Sequence, residues 1–313
     1  MQLQGLASRF QDLPEDIVRL IFEIAVEADD YRPTLALISK QIQRWVEPLI
    51  YRDVLIDFND SGQFYRTMTA PVSTKPADFF ALHVKGLFIR FLESDAEGND
   101  TNAAEILHKC SSVQSLAIWS YLHFQGTLPQ LRTALTSPLL RPTQLSLSQF
   151  VLRDPVTSTR DFCHPIFSRI THLDVTCKRK EGEWDWASLQ SLATLTHLSV
   201  DVYDMSPAQV AKDVLQNCPQ DLRVLVVCLS LDVITPQIRD EAKSLAEGEV
   251  DDRVAVVSFE TRTPELETNF YLPYGELFDV WKAPSSGNKL WSQAERVIKE
   301  RRRKKSEDSE AFF

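Results

Sequence analysis

Two histidines and two aspartates form the most tempting cluster for a cation in this chain: His172 and Asp174 in ITHLDV, His197 and Asp201 in LTHLSVD. Were the two stretches adjacent strands, two imidazoles and two carboxylates would come together, the donor types a metal ion accepts. Both histidines, however, occupy the same slot of a Thr-His-Leu repeat, which explains them as ordinary strand residues and supplies neither converging ligands nor a second shell. No metal and no cofactor are therefore expected. The chain contains no G-x-S-x-G, H-E-x-x-H, P-loop or dinucleotide fingerprint, and its nine glycines offer little backbone to cradle a phosphate. The five cysteines (Cys110, Cys163, Cys177, Cys218, Cys228) are odd in number and form no C-x-x-C pair. They read as small buried hydrophobes rather than a disulfide framework or a zinc site. No constellation for nucleophilic or acid–base catalysis emerges, and a non-catalytic protein is expected.

The elements that carry those histidines belong to a weak repeat. Leu87, Leu116, Leu145, Leu173, Leu198, Leu225 and, more loosely, Val254 sit at the centre of short apolar stretches (VKGLFI, VQSLAI, PTQLSL, ITHLDV, LTHLSV, LRVLVV, DRVAV). They recur at steps of about 25–29 residues, the long end of the leucine-rich-repeat range. Each stretch alternates as a short parallel strand does, and helix-like segments lie between them at 103–110, 128–139, 186–193 and 207–218. Val54, Leu55 and Ile56 make an earlier strand, followed by a short helix around Phe64, Tyr65 and Met68. The ladder asparagine or cysteine of regular repeats is mostly missing, and loops at 95–102 and 153–165 interrupt the period, so a ragged solenoid is expected. Alternation along the strands then points Ser115, Ala117 and Trp119; Gln144, Ser146 and Ser148; His172, Asp174 and Thr176; and His197, Ser199 and Asp201 toward the concave face. Concave stripes of this kind are where repeat proteins usually bind, and Trp119 is the residue type enriched in binding hot spots. Trp119, His172, Asp174, His197 and Asp201 are accordingly the candidate substrate contacts.

Ahead of the repeats, residues 13–51 read as a helical hook too small to stand alone. Ile17, Leu20, Ile21 and Ile24 fall at i, i+3, i+4 and i+7 of one helix, with Pro14 at its start and Glu15 and Asp16 complementing the N-terminal dipole. After a polar turn at 29–33, Thr34 is placed to cap a second helix carrying Leu35, Ile38, Ile42, Trp45 and Leu49, which Pro48 breaks or kinks. Leu13-Pro14-Glu15-Asp16-Ile17, the pair Leu20 and Ile21, then Ile38-Ser39-Lys40 and Arg44-Trp45 before Pro48-Leu49-Ile50-Tyr51 resemble the F-box, more narrowly the F-box-like domains of fungal proteins. That resemblance implies docking on a Skp-type adaptor, and through it a cullin, with Leu13, Pro14, Ile17, Leu20, Ile21, Ile38 and Trp45 as contacts. It also implies that the irregular leucine-rich-repeat-like region presents a protein substrate for ubiquitination, by proximity and not by chemistry of its own. Independently of the family, two or three short amphipathic helices expose more apolar surface than they can hide. The competing reading is a scaffold with no ubiquitin role whose hook merely caps the solenoid.

The repeat is lost from Thr261. Phe270, Tyr271, Leu272, Tyr274, Leu277, Phe278, Val280 and Trp281 are apolar enough to close the open end of a stack, and a helix carrying Leu290, Ala294, Val297 and Ile298 on one face follows. The basic run from Lys299 to Lys305 could be an import signal or meet an acidic partner. The acidic residues after Ser306 favour a solvated helix end. The expected architecture is α/β: a lead-in at 1–12, an F-box-like hook at 13–51, an irregular leucine-rich-repeat solenoid at 52–260, a helical C-terminal cap at 261–298 and a charged tail at 299–313. A net charge of −10 argues against nucleic acid as partner. No apolar run is long enough for a membrane span, and the amino end lacks the h-region of a secretory signal, so a cytoplasmic or nuclear location is expected.

Overall fold

Among the described residues, nine strands pair in the order in which they occur along the chain, every pair parallel, into one sheet. The computed structural model describes residues 13–28, 32–56, 61–70, 75–91, 96–120, 128–148, 151–152, 160–177, 184–203, 205–229, 235–259, 267–272, 281 and 289–310. The strands are β1 (Asp53–Ile56), β2 (Gly86–Phe91), β3 (Ser115–Ser120), β4 (Gln144–Leu147), β5 (His172–Cys177), β6 (His197–Val202), β7 (Val224–Leu229), β8 (Val254–Phe259) and β9 (Phe270–Leu272). Register runs Val54, Leu87, Leu116, Leu145, Leu173, Leu198, Leu225, Val254 across eight strands, so the repeated leucine of the sequence is one continuous row. Parallel neighbours require a crossover, and most of these are helical: α4 (Ser61–Thr69), α5 (Phe79–His83), α6 (Ala96–Lys109), α7 (Pro129–Leu135), α8 (Pro207–Asn217) and α9 (Pro236–Glu247). Two crossovers contain 3₁₀ segments among their described residues, at Pro165–Phe167 and Trp186–Ser191.

The main core lies between the leucine row and these crossovers. Phe80, Ile106, Leu107, Leu131, Leu135, Val210, Val214, Ala242 and Leu245 pack onto the side chains of that sheet face and are all buried. Where the chain enters each of β2 to β7, one carbonyl of the preceding repeat accepts two N–H groups. Thr143 O takes Thr171 N and His172 N, Thr171 O takes Thr196 N and His197 N, and Thr196 O takes Arg223 N and Val224 N. The side chains of Thr171 and Thr196 reinforce this ladder, their hydroxyls donating to Thr143 O at 3.0 Å and Thr171 O at 3.1 Å. The repeated threonine before each histidine thus has a structural cause.

Several expectations are corrected. Residues 96–102, read as an inserted loop, form the first half of α6; of the second expected loop, 153–159 lie outside the described residues. The strand repeat does not end before Thr261, since β9 adds to β8 in parallel. The charged tail is not a separate segment, because α10 (Lys289–Glu310) runs through the basic block without a break. Nor does the C-terminal region merely close an end. Leu290, Trp291, Ala294 and Ile298 of α10, with Trp281 and Leu272, pack on Val224, Val226, Cys228, Ala255 and Val257, covering the sheet face opposite the leucine row. Tyr274, Leu277, Phe278 and Val280 lie outside the described residues. No helix among the described residues is long and apolar enough to cross a membrane.

Candidate functional site

The hook consists of α1 (Glu15–Ala28), α2 (Arg32–Leu35) and α3 (Lys40–Ile50). The second helix expected from Thr34 is two pieces: α2 ends at Leu35, a turn follows, and Ser39 caps α3 by accepting from Ile42 N at 3.2 Å. The cap wins because Ser39 takes an extended backbone and supplies the acceptor an N-terminal amide needs. Ile38 therefore lies in the turn rather than on a helix face. Pro48 does not break α3, which continues to Ile50.

Helix α1 is apolar on two sides. Val18, Phe22, Ala25 and Val26 turn inward to varying depth, and Val26 is fully buried with Ile42 and Val46 of α3 in a core separate from that of the sheet. The other side, Ile17, Leu20, Ile21 and Ile24, is exposed, as are Leu37 and Ile38 in the turn, with exposures from 41% at Ile17 to 84% at Leu37. Six large aliphatic side chains on so small a unit are a cluster rather than the scattered exposure any surface shows. Of the other predicted contacts, Pro14 is exposed, Leu13 is half-buried, and Trp45 is half-buried within the hook's own core. Ile24 belongs to the face although the contact set read from the sequence omits it. A continuous second helix gives no reason to single out Leu37; the Ser39 cap is the sequence signal for the turn that displays it.

The hook is fixed to the sheet. Tyr51 makes edge contacts with Phe79 and Phe80 at 5.6 and 5.5 Å, Lys75 pairs with Glu47 at 2.7 Å and lies over the Tyr51 ring, and Arg52 bridges Glu27 and Asp53 at 2.9 and 3.0 Å. The ring contacts and the Lys75–Glu47 pair are largely sheltered from water, so α3 holds its direction relative to β1.

The second candidate, the stripe of strand residues opposite the leucine row, is brought together as expected but is not an open surface. Ser146, Asp174 and Ser199 are register partners, all buried. Trp119 Nε1 donates to Ser146 Oγ at 2.5 Å, Ser146 Oγ donates to Asp174 at 2.6 Å, and Ser199 bonds Asp174 on one side and meets Cys228 Sγ at 3.2 Å on the other. Burial raises the Asp174 carboxyl to about 6, against the pull of the two serine hydroxyls. His172 and His197 stack face to face, 4.2 Å between centroids, and Trp291 packs edge-on to both at 5.4 and 5.5 Å. Burial lowers His172 to about 4 and holds His197 below its usual range, while Glu295, 3.1 Å from His197 Nε2, pulls the latter back up. Asp201 stands across from Cys228 in register. Of the five residues read as substrate contacts, Asp174 and His197 are buried and Trp119, His172 and Asp201 half-buried; the two histidines lie against Trp291 of the C-terminal helix and Trp119 against Phe88 at 4.9 Å. The physical reason is that Val224, Val226 and Val257 make the neighbouring part of this face apolar, and α10 closes over it. Among the described residues no three His, Cys, Asp or Glu side chains converge as a metal would require.

No protein-family model matches the chain, and no curated protein matches it either.

Proposed function

We propose that this protein is the substrate-recognition subunit of a Skp/cullin/F-box ubiquitin ligase, with α1–α3 an F-box-like hook for a Skp-type adaptor and the strand repeats an irregular leucine-rich-repeat solenoid that carries a protein substrate. The observation behind the reading is the uncovered face of Ile17, Leu20, Ile21, Ile24, Leu37 and Ile38 on a hook already packed on its other side. Burying such a face against a partner's helices is how helix-in-groove contacts gain affinity, each aliphatic side chain contributing on the order of 1.5–3 kcal/mol if fully covered. A hook serving only to cap the sheet would turn these residues inward instead. The chain performs no chemistry in this role; it acts by holding substrate near a charged conjugating enzyme. Because the polar layer beneath α10 is covered, substrate contact falls to surfaces outside that helix's footprint. The location expected is cytoplasmic or nuclear, where such ligases work.

A binding assay with purified Skp-type adaptor tests the reading. The wild type should be retained and the Ile17→Asp, Ile21→Asp double variant should lose at least about tenfold in affinity. Equal retention of a variant whose circular dichroism and melting match the wild type counts against adaptor docking.

A further inference from the structure

Parallel strands all begin at one end of their sheet, so the segments that lead into them share one rim. Those leading into β2, β3, β4, β5 and β6, residues 79–86, 108–115, 137–144, 165–172 and 190–197, contain no aspartate or glutamate, in a chain that has 44 of them and a net charge of −10. They do contain Lys85, Lys109, Arg141 and Arg169. Acid bounds the stretch on either side, with Glu47 and Asp53 at the entry to β1 and Asp221 at the entry to β7. Lys109, Arg141 and Arg169 are exposed, Lys85 is half-buried, and none of the four forms an ion pair with a described residue. Arg141 and Arg169 occupy the same place in neighbouring repeats, two residues ahead of Thr143 and Thr171, where Thr171 N donates to Thr143 O at 2.8 Å. Arg141 Nε donates to Pro138 O at 2.7 Å, which orients the guanidinium and leaves both Nη groups with no acceptor among the described residues. The basic run of α10 is different. There Arg301 is engaged by backbone carbonyls, Arg303 pairs with Glu307, Lys305 pairs with Asp252, and Glu295 and Glu300 stand close by in the same helix.

We propose that this rim is a docking surface for an acidic segment of a partner protein, with Arg141 and Arg169 holding carboxylates, Lys85 and Lys109 extending the positive field, and Leu82 and Leu139 receiving apolar side chains of the same segment. Both leucines are exposed, and they lie in the entry segments that carry Lys85 and Arg141. Guanidinium forks match the planar, two-oxygen geometry of a carboxylate. Neighbouring strands lie about 4.8 Å apart, so the rim from β2 to β5 runs about 15 Å, the length of about five extended residues. A short acidic peptide fits that span. Nucleic acid fits it less well, because the phenylalanines of these segments, Phe79, Phe80 and Phe167, are buried and give bases no ring to stack on, and the acidic remainder of the chain repels a long polyanion. The proposal gives the ligase reading its substrate class, and it rests on that reading only in calling the occupant a substrate.

Fluorescence anisotropy of a labelled LEEEEEEL peptide, titrated with the full chain at low salt and without adaptor, tests it. Saturable binding is expected, lost with the LQQQQQQL peptide and weakened as salt is raised. The Arg141→Glu, Arg169→Glu double variant should bind at least about tenfold more weakly, whereas Arg302→Glu, Lys304→Glu on α10 should bind as the wild type does. Both rim arginines are exposed, so circular dichroism and melting of that variant should match the wild type; if charge reversal disturbs the fold, Arg141→Gln, Arg169→Gln reads the same loss. No saturable binding by the wild type, undiminished binding by the folded rim variant, or loss in the α10 variant overturns the proposal. So does an oligothymidylate of equal charge that binds as tightly as the peptide, which would assign the rim to nucleic acid. Because adaptor is absent, failure here leaves adaptor docking standing; peptide binding by a chain that fails to retain adaptor would instead keep the rim and remove the ligase role.

Discussion

Gly248 and Arg301 are in contact across the junction of α9 and α10, the glycine at φ +74° and so close that a Cβ built on it would lie 2.5 Å from Arg301 Cδ and 2.7 Å from Nε. The glycine ends α9 in a Schellman turn, Gly248 N bonding Leu245 O and Glu249 N bonding Ser244 O. Arg301 uses the space left by the missing side chain. Its Nη1 donates to Asp252 O at 3.1 Å and Val254 O at 2.8 Å, and its Nη2 to Ala246 O at 2.6 Å. One residue in the basic run therefore faces inward as an anchor, which the charge pattern alone would assign to solvent.

Gly248→Ala should consequently cost more than a cap substitution. The left-handed backbone alone disfavours a Cβ by about 1–2 kcal/mol, and moving the guanidinium off its carbonyls adds to that. A total near ~3 kcal/mol in urea unfolding is expected. Introducing the same substitution into an Arg301→Ala background, which removes Cδ and the guanidinium together, should cost only the backbone share. Equal costs in both backgrounds would show that the two residues do not interact energetically.

Asp174 gives a pH-dependent prediction. Its folded carboxyl titrates at about 6 and its unfolded one near the ordinary aspartate value, so the native state holds the proton more tightly. Stability from this group is then full in acid and is lost as pH rises from about 4 to about 6. An asparagine at this position would keep an acceptor for Ser146 and offer Ser199 a donor without ionising. Asp174→Asn should therefore be more stable than the wild type at pH 8, by roughly 2 kcal/mol, and nearly equal to it at pH 4. Chemical denaturation at the two pH values measures this; a variant weaker at pH 8 would mean that the serine bonds outweigh desolvation.

The hook has its own small core, so it should be separable from the sheet. Val46 is fully buried among Val26, Ile42 and their neighbours, none of which belongs to the main core. Val46→Asp strands a carboxylate there and should unfold α1–α3, seen as loss of amide protection in 13–50, while amides in β3–β8 keep theirs. The Ile17→Asp, Ile21→Asp variant, altered at exposed positions, should change stability by no more than about 0.5 kcal/mol. Loss of protection throughout the sheet on Val46→Asp would mean that the two cores unfold as one unit.

The leucine register is legible in the sequence because a parallel sheet in sequential order needs one apolar residue per strand at the same height, and spacing alone shows that. The exposed side of α1 is legible for the same reason: Ile17, Leu20, Ile21 and Ile24 repeat with helical period. What periodicity cannot show is which of two faces a later segment covers. Val224, Val226, Val257 and Ala255 alternate with Leu225, Val227, Val256 and Val254, so β7 and β8 are apolar on both sides, the pattern of strands covered twice. Such strands require a second layer, which α10 supplies on the face where His172 and His197 lie. The inward turn of Arg301 and the meeting of His197 with Glu295 join residues far apart in the chain, and no local pattern records either.

Burial also sorts the cysteines, which their composition alone would treat as alike. Cys110, Cys177 and Cys228 are buried, Cys218 is intermediate and Cys163 is exposed, which corrects the expectation that all five are core residues. Desolvation pushes the Cys110 thiol up to about 12 and raises Cys228 well above its usual value, with Asp201 and Asp174 adding to the effect on Cys228. The thiolate is the reactive form, so neither reacts at neutral pH without unfolding. Titration of the native protein with a chromogenic disulfide at pH 8 should show one fast thiol, abolished by Cys163→Ser, and a slower one at Cys218. Cys110, Cys177 and Cys228 should appear only in denaturant. Fast labelling of Cys228 in the native state would mean that α10 leaves the sheet readily, because that thiol lies beneath the helix in the same apolar layer as Trp291 and Ala294.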